Sequence, residues 1–324
     1  MGAALNAALP LLRLLNGSPE GLSVQTLSAQ LGEDSAAVLA TAQELTALDP
    51  SLLHQESGSA EESLLLRLNR SLDFLDSSFL SSRCPGPGRV TVLECISSTN
   101  SYLLERLGEL QKGDCVLTEI QYSGRGRRNR VWRSGVCCDL LLSLGWVFES
   151  WQSIWGLPLV AGSTALNTLQ ALGVADLSLK WPNDLYFLGR KLGGILVETV
   201  PGPDGTVKTV IGMGINLGPC YDTNLKSDSA TLAGKGVPCG RNMLCAAVIN
   251  ALRSGCELFA AQGLEPFLTA LRNNDFLYGH RVVVEVEDLV YEGVARGIDG
   301  QGALLLETVS GTLPLSSGHI SQVL

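Results

Sequence analysis

The sequence lacks several patterns that would assign a function by themselves. Its nine cysteines contain no Cys-x-x-Cys pair, and the adjacent Cys137 and Cys138 suit neither a metal clip nor an easy disulfide. The three histidines, His54, His280 and His319, lie far apart and form no ligand or triad pattern. We therefore expect reduced thiols in a cytoplasmic protein, no protein metal site, and histidines that are structural or on the surface.

Long apolar runs are missing as well. No run approaches the ~20 residues that a membrane helix needs. The apolar N-terminus has no basic segment before it, so we expect neither a membrane span nor a signal peptide. Only 17% of the residues are charged against 45% that are hydrophobic, which indicates a packed globular protein. The 324 residues are enough for two or three domains.

Three regions of different pattern follow one another and predict an α+β protein. Residues 1–82 predict a winged helix-turn-helix, with a helix capped near Ser23 and a second helix from about Ser35. Strands and helices alternate over residues 88–275, which predicts a mixed or largely antiparallel sheet. Short alternating strands with Gly and Asp turns over residues 278–324 predict a small β-barrel.

One stretch of the central region is predicted in more detail. "LSLKWPNDLYFLGRKLGGILVETV", residues 177–200, has the pattern of a strand, a turn and a second strand.

The first region has little positive charge. Residues 1–80 contain three arginines against ten acidic residues, a net charge of −7. DNA-binding proteins gain most of their affinity by neutralising phosphates. The second predicted helix, "DSAAVLATAQEL", also has no Lys, Arg, Asn or His to contact a base edge. We therefore expect DNA binding to be absent or weak.

Positive charge is instead concentrated in "GRGRRNR", Gly124–Arg130, which we call the arginine loop. A solvated face or a nucleic-acid arm is the plain alternative for such a run. Gly124 and Gly126 argue against it, since glycine lets the backbone come close to a ligand. Guanidinium groups and bare N–H groups suit phosphate or carboxylate oxygens. The segment therefore favours an anionic ligand.

Five motifs in order resemble those of the biotin protein ligases, specifically the long bacterial form that can double as biotin operon repressor. They are "SSTN" (97–100), the arginine loop followed by Trp132, "KWPNDL" (180–185), "GRKLGGILVE" (189–198) and "GMGINLG" (212–218). The resemblance implies a winged helix-turn-helix, a ligase domain of the class II synthetase-like type and a C-terminal SH3-like β-barrel.

The resemblance also implies the reaction. A free carboxylate is a poor acyl donor, so joining it to an amine requires activation by ATP as an acyl adenylate. Two anions then meet, and the site needs fixed positive charge where negative charge develops. We expect biotin and ATP as substrates, Mg²⁺ carried on the phosphates, and a biotin carboxyl carrier protein domain as the acceptor. The oligomeric state stays open, with a homodimer as one alternative.

The resemblance implies roles for individual residues. The expected catalytic residues are Arg125, Arg127 and Lys180. The expected biotin-binding residues are Ser98, Thr99, Asn100, Gln121, Arg125, Gly126, Arg127 and Lys180. The expected nucleotide-binding residues are Gly124, Arg130, Trp132 and Asn216. We expect Arg190 and Lys191 to form a turn. "SSTN" as a plain helix cap and Lys180 as a surface lysine are the structural alternatives.

Two stretches depart from the family pattern. Asn129 stands where the family has Gly, which is a mild change because Asn tolerates positive φ. Gly135, Cys137, Asp139 and Leu141 stand where the family usually has Pro, Gly, Asn and Tyr. We therefore expect weaker binding of the substrates, with loss of activity as the alternative. Two further functions remain open: a biotin-responsive repressor with the adenylate as corepressor, and a lipoate ligase of the same superfamily. The motifs "KWPND" and "GRGRR" favour biotin.

Overall fold

The computed structural model describes residues 4–57, 64–202, 204–218, 229–234 and 239–324. The first region contains three helices and a small antiparallel sheet of order β1-β3-β2. Its elements are α1 (Ala8–Asn16), β1 (Leu22–Ser23), α2 (Val24–Leu31), α3 (Ser35–Leu48), β2 (Leu53–Ser57) and β3 (Leu64–Leu68). The side chains of Ser23 and Asp34 cap α2 and α3, because a side-chain oxygen can accept from a free N–H of the first turn.

Helices α2 and α3 begin where the sequence predicted, at Val24 and Ser35. The winged helix-turn-helix class and the domain bounds stay predictions. The hydrophobic core of the region is completed from outside it, by Ile120, Val136 and Cys137. Residues 1–82 therefore pack directly against the part of the chain that follows the arginine loop.

A seven-stranded sheet organises the central region. Its order is β4-β5-β8-β12-β11-β10-β9; β4 and β5 are parallel and the other pairs are antiparallel. This confirms the predicted mixed sheet. The strands are β4 (Val90–Ile96), β5 (Cys115–Gln121), β8 (Leu140–Phe148), β9 (Leu177–Lys180), β10 (Asp184–Phe187), β11 (Arg190–Pro201) and β12 (Val207–Ile215), with a two-stranded ribbon of β6 (Gly124–Arg125) and β7 (Val131–Trp132).

The helices of this region are α4 (Ser77–Arg83), α5 (Thr99–Leu104), α6 (Leu157–Ala171), α7 (Arg241–Gln262) and α8 (Leu268–Asn273). The two faces of the sheet separate them, because successive side chains of a strand point to opposite faces. Leu117 and Ile211 lie in the large core with α6 and α7, while Val116 and Val210 pack with Leu103 of α5. The face that carries α5 also carries the site described below.

One expectation about this region needs correction. Residues 177–201 form three strands, β9, β10 and β11, where the sequence predicted two. A turn at residues 188–189 separates β10 from β11, with positive φ at both positions. Among the described helices, α7 alone has the length and apolar composition that a membrane span would need. Eleven of its residues are buried against the rest of the protein, as in the core helix of a globular protein.

The C-terminal region is a five-stranded antiparallel sheet of order β16-β15-β14-β13-β17. Its strands are β13 (Arg281–Val286), β14 (Leu289–Ile298), β15 (Leu304–Thr308), β16 (Gly311–Leu315) and β17 (His319–Val323). The short strands agree with the prediction, and the SH3-like barrel class stays a prediction. Glu285 of β13 lies opposite His319 of β17, which places both beside the arginine loop.

Candidate active site

A cavity of about 250 Å³ lies between the N-terminus of α5, the arginine loop, strands β11 and β12 and the start of β17. Ten of the twelve predicted site residues line it: Ser98, Thr99, Asn100, Gln121, Arg125, Gly126, Arg127, Arg130, Trp132 and Asn216. Motifs separated by more than a hundred residues therefore form one concave surface, which we call the pocket.

The "SSTN" motif is both a helix cap and one end of the pocket. The hydroxyl of Ser98 accepts from the backbone of the first turn of α5, as the structural alternative expected. The backbone N–H of Thr99 donates to Gln121 Oε1 at 3.0 Å. Ser143 Oγ lies 2.7 Å from Thr99 Oγ1 and 2.5 Å from Asn100 Oδ1. These bonds hold buried polar side chains in fixed positions, as a binding surface requires.

Arg125 is paired with a carboxylate that the sequence analysis did not assign. Its Nη2 donates to Glu198 Oε2 at 2.7 Å, and Asn100 Nδ2 donates to the same oxygen at 2.8 Å. Glu198 ends the "GRKLGGILVE" motif, so its place in the motif was the available signal. The pair holds the guanidinium of Arg125 at the pocket rim in a geometry suited to a carboxylate.

Arg127 is the most deeply held arginine of the loop. Its Nη1 donates to Asn183 Oδ1 at 2.8 Å and its Nη2 to the carbonyl of Gly318 at 3.2 Å. Burial lowers the pKa of Arg127, with Asp184 opposing the shift, but a guanidinium stays protonated at neutral pH. The pocket therefore has one partly desolvated positive charge whose position is fixed from two sides.

The arginine loop closes on itself as a tight turn. Gly126 N–H donates to the carbonyl of Arg130 at 2.7 Å, and Arg130 N–H donates to the carbonyl of Arg127 at 3.2 Å. Arg128 and Asn129 both have positive φ, 54° and 56°. Asn is among the non-glycine residues that best tolerate this conformation, so Asn129 fits where the family has glycine.

Trp132 lies on a floor made by two glycines of neighbouring strands. Gly194 of β11 and Gly214 of β12 are opposite each other in register. A Cβ at Gly214 would come within 2.5 Å of Trp132 Cε2, and one at Gly194 within 3.5 Å of Trp132 Cζ3. The indole therefore needs glycine at position 214, and its N–H makes no hydrogen bond within the described protein.

Two pocket residues were interpreted differently from the sequence. Lys191, expected in a turn, lines the pocket and pairs with Asp184 through Nζ and Oδ1 at 2.7 Å. Its Nζ is 6.0 Å from the centre of the Trp132 ring. His319, expected to be structural or on the surface, lines the opposite side next to Arg130. Short-range patterns contain no sign of either position, because both depend on how distant strands meet.

Gly124 and Lys180 are the two predicted residues that do not line the pocket. A Cβ at Gly124 would meet Trp132 O at 2.5 Å and Gln121 Nε2 at 2.6 Å, so this glycine allows β6, β7 and Gln121 to pack. Lys180 ends β9, and its Nζ lies 5.6 Å from the centre of the Tyr186 ring. Gly124 is therefore a packing residue in this structure, and Lys180 points its charge at an aromatic face.

The unusual stretch 135–141 is well anchored. Asp139 Oδ2 accepts from Gly135 N–H at 2.8 Å, and its Oδ1 accepts from Leu217 and Gly218 N–H at 2.9 and 3.2 Å. Asp139 thus joins the entry of β8 to the segment that follows Asn216. The altered strand still reaches the pocket, since Leu141 lines it.

The same stretch is bonded to the first region of the chain. Arg70 Nη2 donates to Asp49 Oδ2 at 2.6 Å and to the carbonyl of Val136 at 3.0 Å. Val136 N–H donates in turn to Asp49 Oδ2 at 3.2 Å. This salt bridge, with side chains only 12% and 1% exposed, lies within the first region. Its hydrogen bonds to Val136 connect residues 1–82 to the segment that leads into β8.

A mixed sheet with an arginine-lined pocket fits a ligase that brings two anionic substrates together, and comparison with known proteins shows that class. Residues 92–216 match the "Biotin/lipoate A/B protein ligase family" and residues 278–322 match the "Biotin protein ligase C terminal domain". The chain is 40% identical over 253 residues to "Bifunctional ligase/repressor BirA" of Salmonella typhimurium, covering 77% of this chain and 79% of that protein.

Other relatives and structures give the same result. The protein of the same name from Escherichia coli is 41% identical, over 72% of this chain and 74% of that protein. "Biotin protein ligase from Aquifex aeolicus in complex with biotin and ATP" has a TM-score of 0.61 and 26% identity, over 72% of this chain and 97% of that chain. The chain therefore belongs to the biotin protein ligase family.

Proposed function

We propose that this chain joins biotin to ATP to give biotinyl-5′-AMP and then transfers the biotinyl group to a lysine of a biotin carboxyl carrier protein domain. The observation that carries the proposal is the pocket itself. It sets the fixed positive charges of Arg125 and Arg127 against the buried polar groups of Ser98, Thr99 and Asn100. The matched family and the relative solved with biotin and ATP support the same reaction.

Both chemical steps need what the arginine loop supplies. In the first, a biotin carboxylate oxygen attacks the α-phosphorus of ATP and pyrophosphate leaves. In the second, the neutral lysine amine attacks the acyl carbon, loses a proton, and AMP leaves. Arg125 and Arg127 bring the two anions together and stabilise the charge that develops between them. Glu198 holds Arg125 until an anionic ligand takes its place.

Strand β12 arranges the two ends of the substrate. Gly212 lies under Asn100, where a Cβ would meet Oδ1 at 2.2 Å, and Gly214 lies under Trp132. Residues i and i+2 of a strand are on one face and about 7 Å apart. We assign the Asn100 end with Gln121 to the ring of biotin, and the Trp132 end with Arg130 and Asn216 to the nucleotide.

Lys180 and Mg²⁺ complete the proposed site. Lys180 reaches the adenylate in this proposal by rotating away from Tyr186, since a lysine chain has four flexible bonds. The carboxylates at the pocket, Asp184 and Glu198, are already paired with cations. Among the described residues there is no cluster of three or more His, Cys, Asp or Glu that could hold a metal. Mg²⁺ therefore enters the proposal only on the phosphates of ATP.

The test is biotin-dependent exchange of labelled pyrophosphate into ATP, with lipoate as the parallel substrate. We expect exchange with biotin alone, lost in Arg125→Ala and Lys180→Ala. Arg296→Ala is the matched control, because this exposed arginine pairs with Glu307 on the C-terminal sheet. Exchange with lipoate would favour the other branch of the superfamily. No exchange with either acid, in protein that still binds biotin, would leave a binding or regulatory relative.

Regulation of transcription is a second candidate function for this chain. Both relatives compared above have "repressor" in their names, but residues 1–80 of this chain have a net charge of −7. That charge opposes binding to DNA phosphates. We propose a cytoplasmic ligase with reduced thiols that binds operator DNA weakly or not at all, and a homodimer remains one of its open oligomeric states.

A further inference from the structure

The arginine loop is held by the C-terminal sheet through three of its side chains. Arg127 Nη2 donates to the carbonyl of Gly318 at 3.2 Å. Arg128 donates to the side chain and the carbonyl of Glu285, both at 3.4 Å. Arg130 Nη2 lies 3.0 Å from His319 Nε2. The loop that borders the pocket is thus closed from the opposite side by residues more than 150 positions away.

The contact between Arg130 and His319 depends on the protonation of the imidazole. A guanidinium has five N–H donors and no acceptor, so at 3.0 Å the ring nitrogen must accept. His319 Nε2 accepts only when its lone pair is free, which places the single ring proton on Nδ1. Protonation would instead place two cations, the imidazolium and the guanidinium of Arg130, at hydrogen-bond distance, and their repulsion would break the contact.

Four charged groups face His319, and three of them disfavour the charged ring. They are Arg128 and Arg130 from the arginine loop, Lys180 from the end of β9, and Glu285 from β13. Partial burial, followed by the three cations, lowers the pKa of His319 below its ordinary 6.5, and Glu285 opposes them. Because the pKa is lowered in the closed structure, closure is fully supported above about pH 6.5 and loses this support as pH falls through the lower value.

We propose that neutral His319 is a positioning residue that holds Arg130, and with it the arginine loop, over the pocket, and that protonation of His319 releases this hold. His319 acts through Arg130 and does not take part in the chemistry. The contacts of Arg127 with the Gly318 carbonyl and of Arg128 with Glu285 do not involve the imidazole, so they remain when it is protonated. Acid therefore loosens the loop without unfolding the protein.

The first test needs no substrate and is independent of the proposed function. Trypsin cleavage within residues 124–133 is followed from about pH 5.5 to about pH 8, a range that brackets an ordinary histidine. The variants are His319→Gln, whose side-chain oxygen accepts at every pH, and His319→Ala, which removes the acceptor. His54→Gln is the matched control, since His54 is exposed on β2 and pairs with Glu56.

We expect wild type and His319→Gln to be cut at the same rate near pH 8. Near pH 5.5 wild type should be cut about two- to tenfold faster, the value of one net hydrogen bond. Dividing each rate by that of His319→Gln at the same pH cancels the response of trypsin itself. His319→Ala should be cut rapidly at every pH, and His54→Gln should follow wild type. A wild-type to Gln ratio that stays constant with pH would overturn the proposal.

A second readout rests on the proposed function. In wild type, the rate at which bound biotinyl-5′-AMP leaves the protein should rise as the pH is lowered over the same range, by the same factor as the cleavage rate. In His319→Gln this rate should not change with pH. Failure to bind the adenylate at all would count against the proposed function and leave the proteolysis result standing. The same pH dependence of adenylate release in both proteins would contradict the proposed role of His319 in holding Arg130.

Discussion

Replacing Gly214 with alanine tests whether Trp132 forms the nucleotide end of the pocket. An alanine Cβ at this position would lie 2.5, 2.7 and 2.8 Å from three atoms of the indole. These distances are shorter than real Cβ contacts, and a rigid ring cannot move one edge alone. Trp132 must therefore shift off β12, which changes the surface on which we place adenine.

The size of the effect follows from the cost of overpacking. Inserting a methyl group into a close-packed site costs about 1–3 kcal/mol. Where that cost falls on the bound nucleotide, the KM for ATP rises by about fivefold to a hundredfold. The assay is biotin-dependent pyrophosphate exchange with ATP varied at saturating biotin. We expect the KM for biotin to change much less than the KM for ATP.

Gly194→Ala is the matched control, because the same methyl group is added to the strand opposite. Its Cβ would meet Asp184 Oδ1 at 3.4 Å and Trp132 Cζ3 at 3.5 Å, which are close to ordinary contacts. We expect the KM for ATP to change by less than about threefold. An unchanged KM for ATP in Gly214→Ala, or a larger effect in Gly194→Ala, would refute the assignment of Trp132.

Three further outcomes are expected. Gly212→Ala should raise the KM for biotin more than that for ATP in the same exchange assay, since its Cβ would overlap Asn100; the opposite order would reverse our assignment of the two ends. Arg241→Met should cost about 3–5 kcal/mol in urea unfolding because it leaves Glu119 charged and buried, and adding Glu119→Gln should recover part of the loss; a single variant as stable as wild type contradicts this. Purified protein should give no sequence-specific shift of operator DNA at low salt, and a salt-sensitive specific shift would show that the acidic first region binds DNA after all.

Much of the local structure follows from short-range patterns. Ser23 and Asp34 cap their helices because a short polar side chain before an apolar repeat satisfies the first free N–H groups. The same rule places Ser98 at the start of α5. The division of residues 177–201 into three strands was missed, since a two-residue turn without a Gly-Pro or Asn-Gly signal leaves little trace in an apolar stretch.

The site was predictable in its parts and not in its connections. Ten of the predicted site residues meet in the pocket, and the resemblance to the family was enough to name them. The sequence did not indicate that Glu198 would hold Arg125 or that Lys191 would pair with Asp184. The first pair joins the ribbon of β6 and β7 to the large sheet, and the second joins two neighbouring strands of that sheet. Both depend on how the strands pack in three dimensions.

The sequence by itself determined where glycines and guanidinium groups are concentrated, because glycine spacing and guanidinium chemistry are properties of neighbouring positions. Only the tertiary structure decided what holds those residues in place. His319 meets Arg130 because β17 pairs with β13 at the edge of the arginine loop. Val136 and Cys137 complete the core of the first region because Asp49 and Arg70 hold the segment that leads into β8. Contacts between distant segments form only when the chain buries its apolar surface, and no local pattern records which segments will meet.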